Sequence, residues 1–300
     1  MKILLTGKNG QVGQALVQQL QRQTGEERHE LVALDRAQLD LADLDAVRRS
    51  VREIRPDLII NAAAYTAVDQ AETDEVLAQR INGEAPGVLA EEAGKIGAAL
   101  IHYSTDYVFD GSKAGAWLED DVPAPLSAYG RSKLAGELAI AKAGVPHVIL
   151  RTSWVYGMAG KNFLLTMLRL GQSRSELSIV ADQIGAPTWS HSIARATAEV
   201  IKQLPRIEEQ SGIYHLSAGG STSWYGFAQQ IFAHPALPFH PKLHPISTAD
   251  YPLPAKRPHN SVLDTTKFQH TFCSLPQWDD ALAECQQALE TDAAHILKAL

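Results

Sequence analysis

Tyr129 and Lys133 are the two residues of this sequence best suited to moving a proton. A free phenol has a pKa of about 10, so near neutral pH it is a weak acid and a poor base until something stabilises the phenolate. The helical stretch that continues through Leu134, Leu138 and Ile140 predicts that the two side chains lie one turn apart on one face. An ammonium next to the phenol would supply the missing stabilisation.

A hydroxyl that could polarise a substrate carbonyl is expected at the end of a buried strand, in the segment His102-Tyr103-Ser104-Thr105-Asp106. Open parallel sheets form their ligand crevice at the carboxyl ends of strands. We choose Thr105 for this role over Ser104, which we expect to satisfy local backbone groups. Asp106 is a candidate to bind a substrate hydroxyl, and its alternative role is to cap the loop that follows.

Three glycines, Gly7, Gly10 and Gly13, follow the first apolar run and precede a helical pattern. In a strand-turn-helix unit, such glycines give a tight turn, a close approach of backbone to a pyrophosphate and close packing of helix on strand. The amides at the start of the helix, which includes Gln11 and Val12, would face the phosphates. The motif therefore predicts a dinucleotide site.

Asp35 lies 22 positions after Gly13, close to the spacing at which a carboxylate reaches the adenosine ribose and favours NADH. Its neighbour Arg36, together with Lys8, could instead receive the 2′-phosphate of NADPH. We therefore expect either reduced cofactor to be used. The other residues assigned to the dinucleotide follow nearby strands, and they are Asp40, Leu41, Ala62, Ala63, Ala64 and Tyr65.

Short apolar runs alternate with amphipathic stretches along the first half of the chain, which is typical of a parallel sheet flanked by helices. The expected fold class is α/β, a Rossmann-type doubly wound parallel sheet with a smaller C-terminal substrate lobe. A crossover helix is expected at 44–54, capped by Asp40 or Asp43 and stopped by Pro56. The expected strands are 2–6, 30–34, 57–61, 98–104 and 147–151.

After residue 152 the prolines increase and the strand candidates shorten, to 177–180, 212–217 and 244–246. We therefore expect a dinucleotide-binding domain over 1–152 and a mainly substrate-binding lobe over 153–300. A helix at 193–204 could return to the first domain. Cys273 and Cys285 lack CxxC spacing and are interpreted as reduced packing residues.

The charge of the chain argues against a nucleic-acid partner. Its 27 basic and 34 acidic side chains give a formal net charge of -7, without the basic excess that many phosphate contacts require. The apolar run at 3–5 is far too short for a signal peptide or a membrane span. We therefore expect a cytoplasmic protein without a membrane partner.

The combination of the glycine motif, Asn61-Ala-Ala, Thr105 and Tyr129-x-x-x-Lys133 resembles the extended short-chain dehydrogenase/reductase superfamily, over essentially the whole chain. Within it, five segments in order are similar to the dTDP-4-dehydrorhamnose reductase family. They are AAAYTAVD at 62–69, STDYVF at 104–109, RTSWVY at 151–156, DQIGAPT at 182–188 and RPHNS at 257–261.

The resemblance implies the NAD(P)H-dependent reduction of the C4 keto group of dTDP-4-dehydro-L-rhamnose. Tyr129 would protonate the developing alkoxide, Thr105 would stabilise it, and Lys133 would tune the phenol. Asp106 would hold a sugar hydroxyl and Trp154 would lie against the deoxysugar. The implied diphosphate contacts are Arg257, with Gln183 and Asn260 as weaker candidates.

Some members of the family use Mg²⁺ at a carboxylate-lined dimer contact. Ala15 and Ser190-His191-Ser192 offer no carboxylates at the corresponding places in this sequence. We therefore assign no metal ligand, and both a monomer and a homodimer stay open.

Three other functions remain to be weighed. A sugar-nucleotide dehydratase would need an Asp-Glu pair after the threonine, and here Asp106 is followed by Tyr107. A regulatory subunit of the type that accompanies methionine adenosyltransferases would bind a dinucleotide without turnover, but it would not need Thr105, Tyr129 and Lys133 together. A reductase of another nucleotide-linked ketosugar is the third alternative.

Overall fold

The structure is a computed structural model that describes residues 1–22 and 29–287. Within these residues six parallel strands form the central sheet, and a smaller lobe carries three separate two-stranded pairs. Numbered in chain order, the strands of the central sheet are β1 (Lys2–Thr6), β2 (Glu30–Leu34), β3 (Leu58–Asn61), β4 (Ala99–Thr105), β5 (His147–Thr152) and β10 (Gly212–His215). The short strands are β6 (Val155–Tyr156), β7 (Glu176–Val180), β8 (Ile184–Gly185), β9 (Thr188–Trp189), β11 (Thr222–Ser223) and β12 (Lys242–Ile246).

Helices flank the sheet and build much of the smaller lobe. In chain order they are α1 (Gln11–Gln21), α2 (Leu44–Ile54), α3 (Glu75–Gln79), α4 (Ala85–Ile96), α5 (Ala128–Ala143), α6 (Phe163–Ser173), α7 (Ser190–Lys202), α8 (Trp224–Phe232) and α9 (Thr266–Thr271). Among the described residues, none of the helices is long and apolar enough to cross a membrane.

The central strands are almost continuously apolar because both faces of the sheet are covered. One apolar layer packs residues of α1 and α7 against the sheet, including Leu16 and Ile193. The opposite layer packs α2, α4 and α5, including Val51, Leu89 and Ile140. This arrangement confirms the doubly wound α/β fold that the sequence predicts.

The strand order β10-β5-β4-β3-β1-β2 reverses between β1 and β3, which makes that point the topological switch of the sheet. Thr6 is in register with both Leu34 and Asn61, and Thr105 with Thr152. The loops that follow these residues therefore leave from the same edge of the sheet. That edge brings together the glycine loop, the alanine segment and Thr105.

The strand predictions for the first half agree with the structure to within one residue at each end, and the predicted helix at 44–54 has the bounds of α2. Asp43, not Asp40, caps it, because the Asp43 carboxylate accepts the amide of Ala46 at 2.9 Å. Such agreement is expected where apolar runs are long and turns are marked by glycine or proline.

The placement of strand 212–217 in the second lobe was wrong. The structure confines the strand to β10, which pairs in parallel with β5 at the edge of the central sheet. The reason is α7, which packs against α1 and thereby carries the chain back to the first layer. From the sequence we expected that a helix could return to the first domain, but not that the following strand would join the central sheet.

The smaller lobe has its own apolar core, built mainly by α6, α8 and residues 278–287 around Tyr156, Leu168 and Phe227. Cys285 is fully buried in it, and Cys273 packs at the edge of the sheet core. Both cysteines carry no disulfide, as the sequence predicts.

Candidate active site

The start of α5 places Tyr129 and Lys133 at the edge of the sheet where ligands bind. Ser127 caps this helix by accepting the amide of Gly130 at 3.1 Å, which fixes the first turn. Tyr129 lies in that turn, half-buried, and Lys133 one turn later is 2% exposed. The two side chains therefore leave α5 one turn apart, near its capped start.

The Tyr129 phenol is kept in its protonated form. Burial raises its pKa to about 12, against the hydrogen bond with Thr105, which lowers it. The ring of Tyr107 meets the Tyr129 ring edge-on, with centroids 6.1 Å apart. Thr105 and Tyr129 therefore lie together, and the phenol is protonated near neutral pH.

The Lys133 ammonium points to β4. It donates to the carbonyl of Tyr103 at 2.6 Å and lies 3.2 Å from Nε2 of His102. Burial lowers the pKa of Lys133 to about 8, partly opposed by the charge of Glu137. The sequence predicted the lysine but not His102. Burial, and next the charge of Lys133, hold the pKa of His102 well below its usual value.

Ser104 differs from its expected role. It donates to the carboxylate of Glu137, which also forms a buried ion pair with Arg151 at 2.7 Å. The hydroxyl is thus satisfied by a side chain behind the site and not by local backbone. Successive residues of a strand point to opposite faces, which is why Ser104 and Thr105 have different surroundings.

Asp106 is buried beside Thr105. It accepts the Thr105 hydroxyl at 2.9 Å and the Ser153 hydroxyl at 3.0 Å. Burial raises its pKa to about 6, although hydrogen bonds from Ser261, Thr105 and Ser153 lower it. Both carboxylate oxygens of Asp106 thus accept hydroxyl groups of the protein itself, next to Thr105.

The glycine loop forms a cradle that a side chain would fill. Gly7 has a φ of +76°, and a Cβ there would lie 2.7 Å from the backbone nitrogen of Ala63. Gly10 is the N-cap of α1 and offers no side-chain cap, so no cap side chain occupies the first amides of this helix. This is the arrangement that binds a pyrophosphate. Val12 packs on the core, and the buried Oε1 of Gln11 has no hydrogen-bond partner within the described residues.

At the end of β2, acidic and basic side chains already pair. Lys8 Nζ lies 3.4 Å from the Asp35 carboxylate, and the exposed Arg36 lies 3.4 Å from Asp40. Leu41 is buried in the core, so only its backbone can face a ligand. The corner where an adenosine ribose would lie thus carries two carboxylates and two cations.

The alanine segment 62–64 follows β3 and lies against the glycine loop, so close that a Cβ added at Gly7 would lie 2.7 Å from Ala63. The next residue, Tyr65, is fixed at both ends. Its amide donates to Asn82 at 2.8 Å and its hydroxyl to Asp74 at 3.0 Å. The segment therefore offers small side chains and fixed backbone to a ligand.

Trp154 has a φ of +45° and stacks in parallel on Trp224, with ring centroids 3.5 Å apart. A Cβ on Gly185 would collide with the Trp154 indole. Gln183 positions Trp224 by accepting its indole N–H at 3.1 Å, and it donates to Thr248 at 3.0 Å. Sequence reasoning missed Trp224, because no motif marks it.

Gln183 and Trp224 also line a cavity of about 830 Å³ in the smaller lobe. One wall is formed by α6 and β7, and another by residues 250–257. This volume is within the range of small-molecule binding sites.

Arg257 and Asn260 are both engaged within the protein. Arg257 forms a two-pronged ion pair with Asp69, at 2.8 and 3.1 Å. The Asn260 amide donates to the carbonyls of Lys113 and Gly115 and accepts the amide of Val262. The Asn260 side chain therefore joins two loops, and its hydrogen-bonding groups are already used there. In the described part of the chain, no group of three or more His, Cys, Asp or Glu side chains could hold a metal ion.

Residues 1–291 match the family described as the RmlD substrate binding domain. A dTDP-4-dehydrorhamnose reductase of Burkholderia thailandensis is 46% identical over 300 residues, covering 96% of this chain and 99% of the relative. The chain belongs to the dTDP-4-dehydrorhamnose reductase family. Its extended short-chain dehydrogenase/reductase fold is the one that the sequence motifs predicted.

Two solved dTDP-4-dehydrorhamnose reductases resemble this chain along its length. The enzyme of Clostridium acetobutylicum has a TM-score of 0.89 at 38% identity, covering 97% of this chain and 100% of its own. The enzyme of Bacillus anthracis, solved in complex with NADP, has a TM-score of 0.86 at 37% identity, covering 96% and 99%. The family is thus supported by sequence and by fold together.

Proposed function

We propose that this protein reduces the C4 keto group of dTDP-4-dehydro-L-rhamnose to give dTDP-L-rhamnose, with NADPH or NADH as the reductant. The observation that carries the proposal is the buried pairing of Tyr129 with Thr105, at the same sheet edge as the glycine cradle. A donor phenol beside a hydroxyl at that edge suits the protonation of an alkoxide that forms next to a bound dinucleotide. A cytoplasmic location remains a prediction.

The residues present fit a nicotinamide dinucleotide. The uncapped amides of α1 and the space left by Gly7 suit its pyrophosphate, and the NADP complex of the Bacillus anthracis relative supports the same class of ligand. When bound, the reduced nicotinamide supplies a hydride. Lys8 and Arg36 favour a 2′-phosphate and Asp35 favours a ribose hydroxyl, so we propose that both cofactors are accepted.

The protein's own groups would handle the proton and the charge. Tyr129 donates its proton to the sugar oxygen at C4, and Thr105 stabilises the negative charge that develops there. Lys133 stabilises the phenolate left behind and can bind the ribose of the dinucleotide. Asp106 binds a sugar hydroxyl.

The remaining substrate contacts are assigned to the smaller lobe. Trp154 is proposed to offer an aromatic face or edge to the deoxysugar, since stacking on Trp224 covers one of its two faces. Gln183, Trp224 and the cavity of about 830 Å³ would receive the nucleotide. Asn260 is only a weak candidate for a substrate contact, because its side-chain amide already donates to the carbonyls of Lys113 and Gly115.

The proposal is tested by following the oxidation of NADPH and of NADH with dTDP-, UDP- and GDP-linked 4-ketosugars, and by identifying the product by NMR. We expect turnover with dTDP-4-dehydro-L-rhamnose and a product reduced at C4. Turnover only with another nucleotide-linked ketosugar would contradict the substrate. Tight cofactor binding without any turnover would instead favour the regulatory-subunit alternative.

A further inference from the structure

Asp69 and Arg257 form a bridge between two distant parts of the chain. Both guanidinium nitrogens Nη1 and Nη2 donate to the Asp69 carboxylate, at 3.1 and 2.8 Å, and the Ala255 amide donates to the same carboxylate at 3.2 Å. Asp69 lies in the loop after β3, and Arg257 ends the cavity wall 250–257. The two-pronged geometry fixes orientation as well as distance.

The bridge also reaches the segment 105–107, which begins with Thr105 and is called the catalytic loop. The Arg257 guanidinium interacts electrostatically with the Tyr107 phenol, and the Tyr107 ring meets the ring of Tyr129 edge-on. Tyr107 directly follows Thr105 and Asp106 in the chain. Arg257 therefore contacts both the loop after β3 and the segment that carries the candidate catalytic hydroxyl.

A cation held in this way is poorly available to a diphosphate. The charge of Arg257 is already balanced by Asp69, and its planar guanidinium is committed to that carboxylate. The side chains of Arg257 and Asp69 are only 18% and 36% exposed, respectively. To bind a phosphate oxygen with the same fork, Arg257 would have to leave Asp69 with an unpaired charge, which costs free energy at a partly buried site. Lys256, the exposed neighbour on the same cavity wall, carries a cation that can meet the diphosphate.

We propose that Asp69 and Arg257 act as one pair of positioning residues, which holds the cavity wall 250–257 against the catalytic loop so that the nucleotide-sugar is bound in register with Tyr129. Arg257 in this account is not the cation for the substrate diphosphate. The inference rests on the proposed function, because it concerns how that same substrate is placed.

A double-mutant cycle separates the two roles of Arg257. Steady-state kinetics at saturating NADPH would be measured with dTDP-4-dehydro-L-rhamnose for Asp69→Asn, Arg257→Met and the variant carrying both changes. If the pair positions the wall, both single variants raise KM by about fivefold or more, and the double variant is no worse than the poorer single one. Arg257→Lys also raises KM, because a lysine lacks the fork that matches the carboxylate.

If Arg257 is instead the diphosphate cation, Asp69→Asn releases it, so KM falls or stays constant while Arg257→Met raises it. That opposite response, or an Arg257→Lys variant with the wild-type KM, would overturn the proposal. A merely structural ion pair would lower the melting temperature and leave KM unchanged, which would also overturn it. Arg195→Met, which breaks an ion pair of 3.0 Å with Glu284, is the matched control and is expected to keep the wild-type KM.

A failure of this inference can be distinguished from a failure of the proposed function. If the wild-type protein does not reduce this substrate, the proposed function fails before any variant is compared. The placement of the wall can then be read from the Kd of dTDP, measured by calorimetry on the same variants. Equal, non-additive losses of dTDP affinity would support the pair, and opposite changes would contradict it.

Discussion

Burial sets the proton chemistry of the individual residues at this site. It raises the pKa of Tyr129 to about 12 and lowers that of Lys133 to about 8. In both cases the low dielectric disfavours the charged form. The phenol therefore stays protonated across the working range, and of these two groups Lys133 is the first to change its charge as the pH rises.

We expect the rate of ketosugar reduction to fall as the pH rises through about 8. The reason is that Lys133, with its lowered pKa, loses a proton and its positive charge in this range, whereas an ordinary lysine stays charged up to about pH 10. The measurement is kcat/KM between pH 6 and 10 at saturating NADPH. Lys133→Arg, which cannot lose its charge in this range, should be slower but should lack this decline. A wild-type profile that stays flat to pH 10 would refute the assignment.

Residue types and spacing predicted Tyr129, Lys133 and Thr105, because each lies in a local pattern of a strand end or a helix face. They could not predict His102 or Trp224. His102 lies beside Lys133 through a contact between β4 and α5, and Trp224 stacks on Trp154. Neither contact leaves a signature in the local sequence. The ion pair that engages Arg257 was missed for the same reason, since Asp69 is 188 positions away.

The elements that hold the site depend on close backbone approaches as well as on apolar faces. The glycine loop lies between β1 and α1, and a side chain at Gly7 or Gly13 would collide with backbone atoms. Gly94 in α4 meets no such restriction, because it is exposed and has open space around its Cβ position. The two kinds of glycine should therefore respond oppositely to an added methyl group.

We predict that Gly13→Ala weakens NADPH binding by about tenfold or more, because the methyl group forces the glycine loop away from α1. Gly94→Ala should leave the affinity unchanged and stabilise the protein by about 1 kcal/mol, the gain of alanine over glycine inside a helix. Fluorescence titration with NADPH and thermal unfolding provide the two readouts. Equal affinities for the two variants would argue against the glycine cradle.

At the scale of elements, the sequence predicted the strands of the first half well because each is a continuous apolar run between clear turns. It misplaced β10 for a physical reason. A four-residue strand at a sheet edge has too short a pattern to reveal its partner, and its place depends on where α7 returns the chain.

At the scale of the whole molecule, a polar tie joins two helices of the same layer, α2 and α4. Glu92 is fully buried between α2 and α4, where it accepts Arg52 at 2.6 and 2.8 Å and Lys95 at 2.7 Å. The hydrogen bond with Arg52 is the main cause that lowers the pKa of Glu92 to about 2. We expect this tie to contribute to stability.

We expect Glu92→Gln to lower the melting temperature at pH 7 by about 5 °C, because neutral glutamine loses the charge-assisted bonds to both cations. The folded pKa is depressed, so the contribution of Glu92 is present above its ordinary pKa of 4.5 and is lost as the pH falls towards about 2. The gap between wild type and variant should therefore close in acid. A gap that is the same at pH 3 and pH 7 would contradict the ion-pair explanation.

The central claim is that Tyr129 supplies the proton to the reduced sugar. The most direct measurement compares wild type with Tyr129→Phe, taking kcat from NADPH oxidation with dTDP-4-dehydro-L-rhamnose and the NADPH Kd from fluorescence titration. The account predicts that kcat falls about 10²-fold or more, the size of a lost general acid, while the Kd changes little. A variant that turns over at the wild-type rate would place the acid elsewhere and contradict the account.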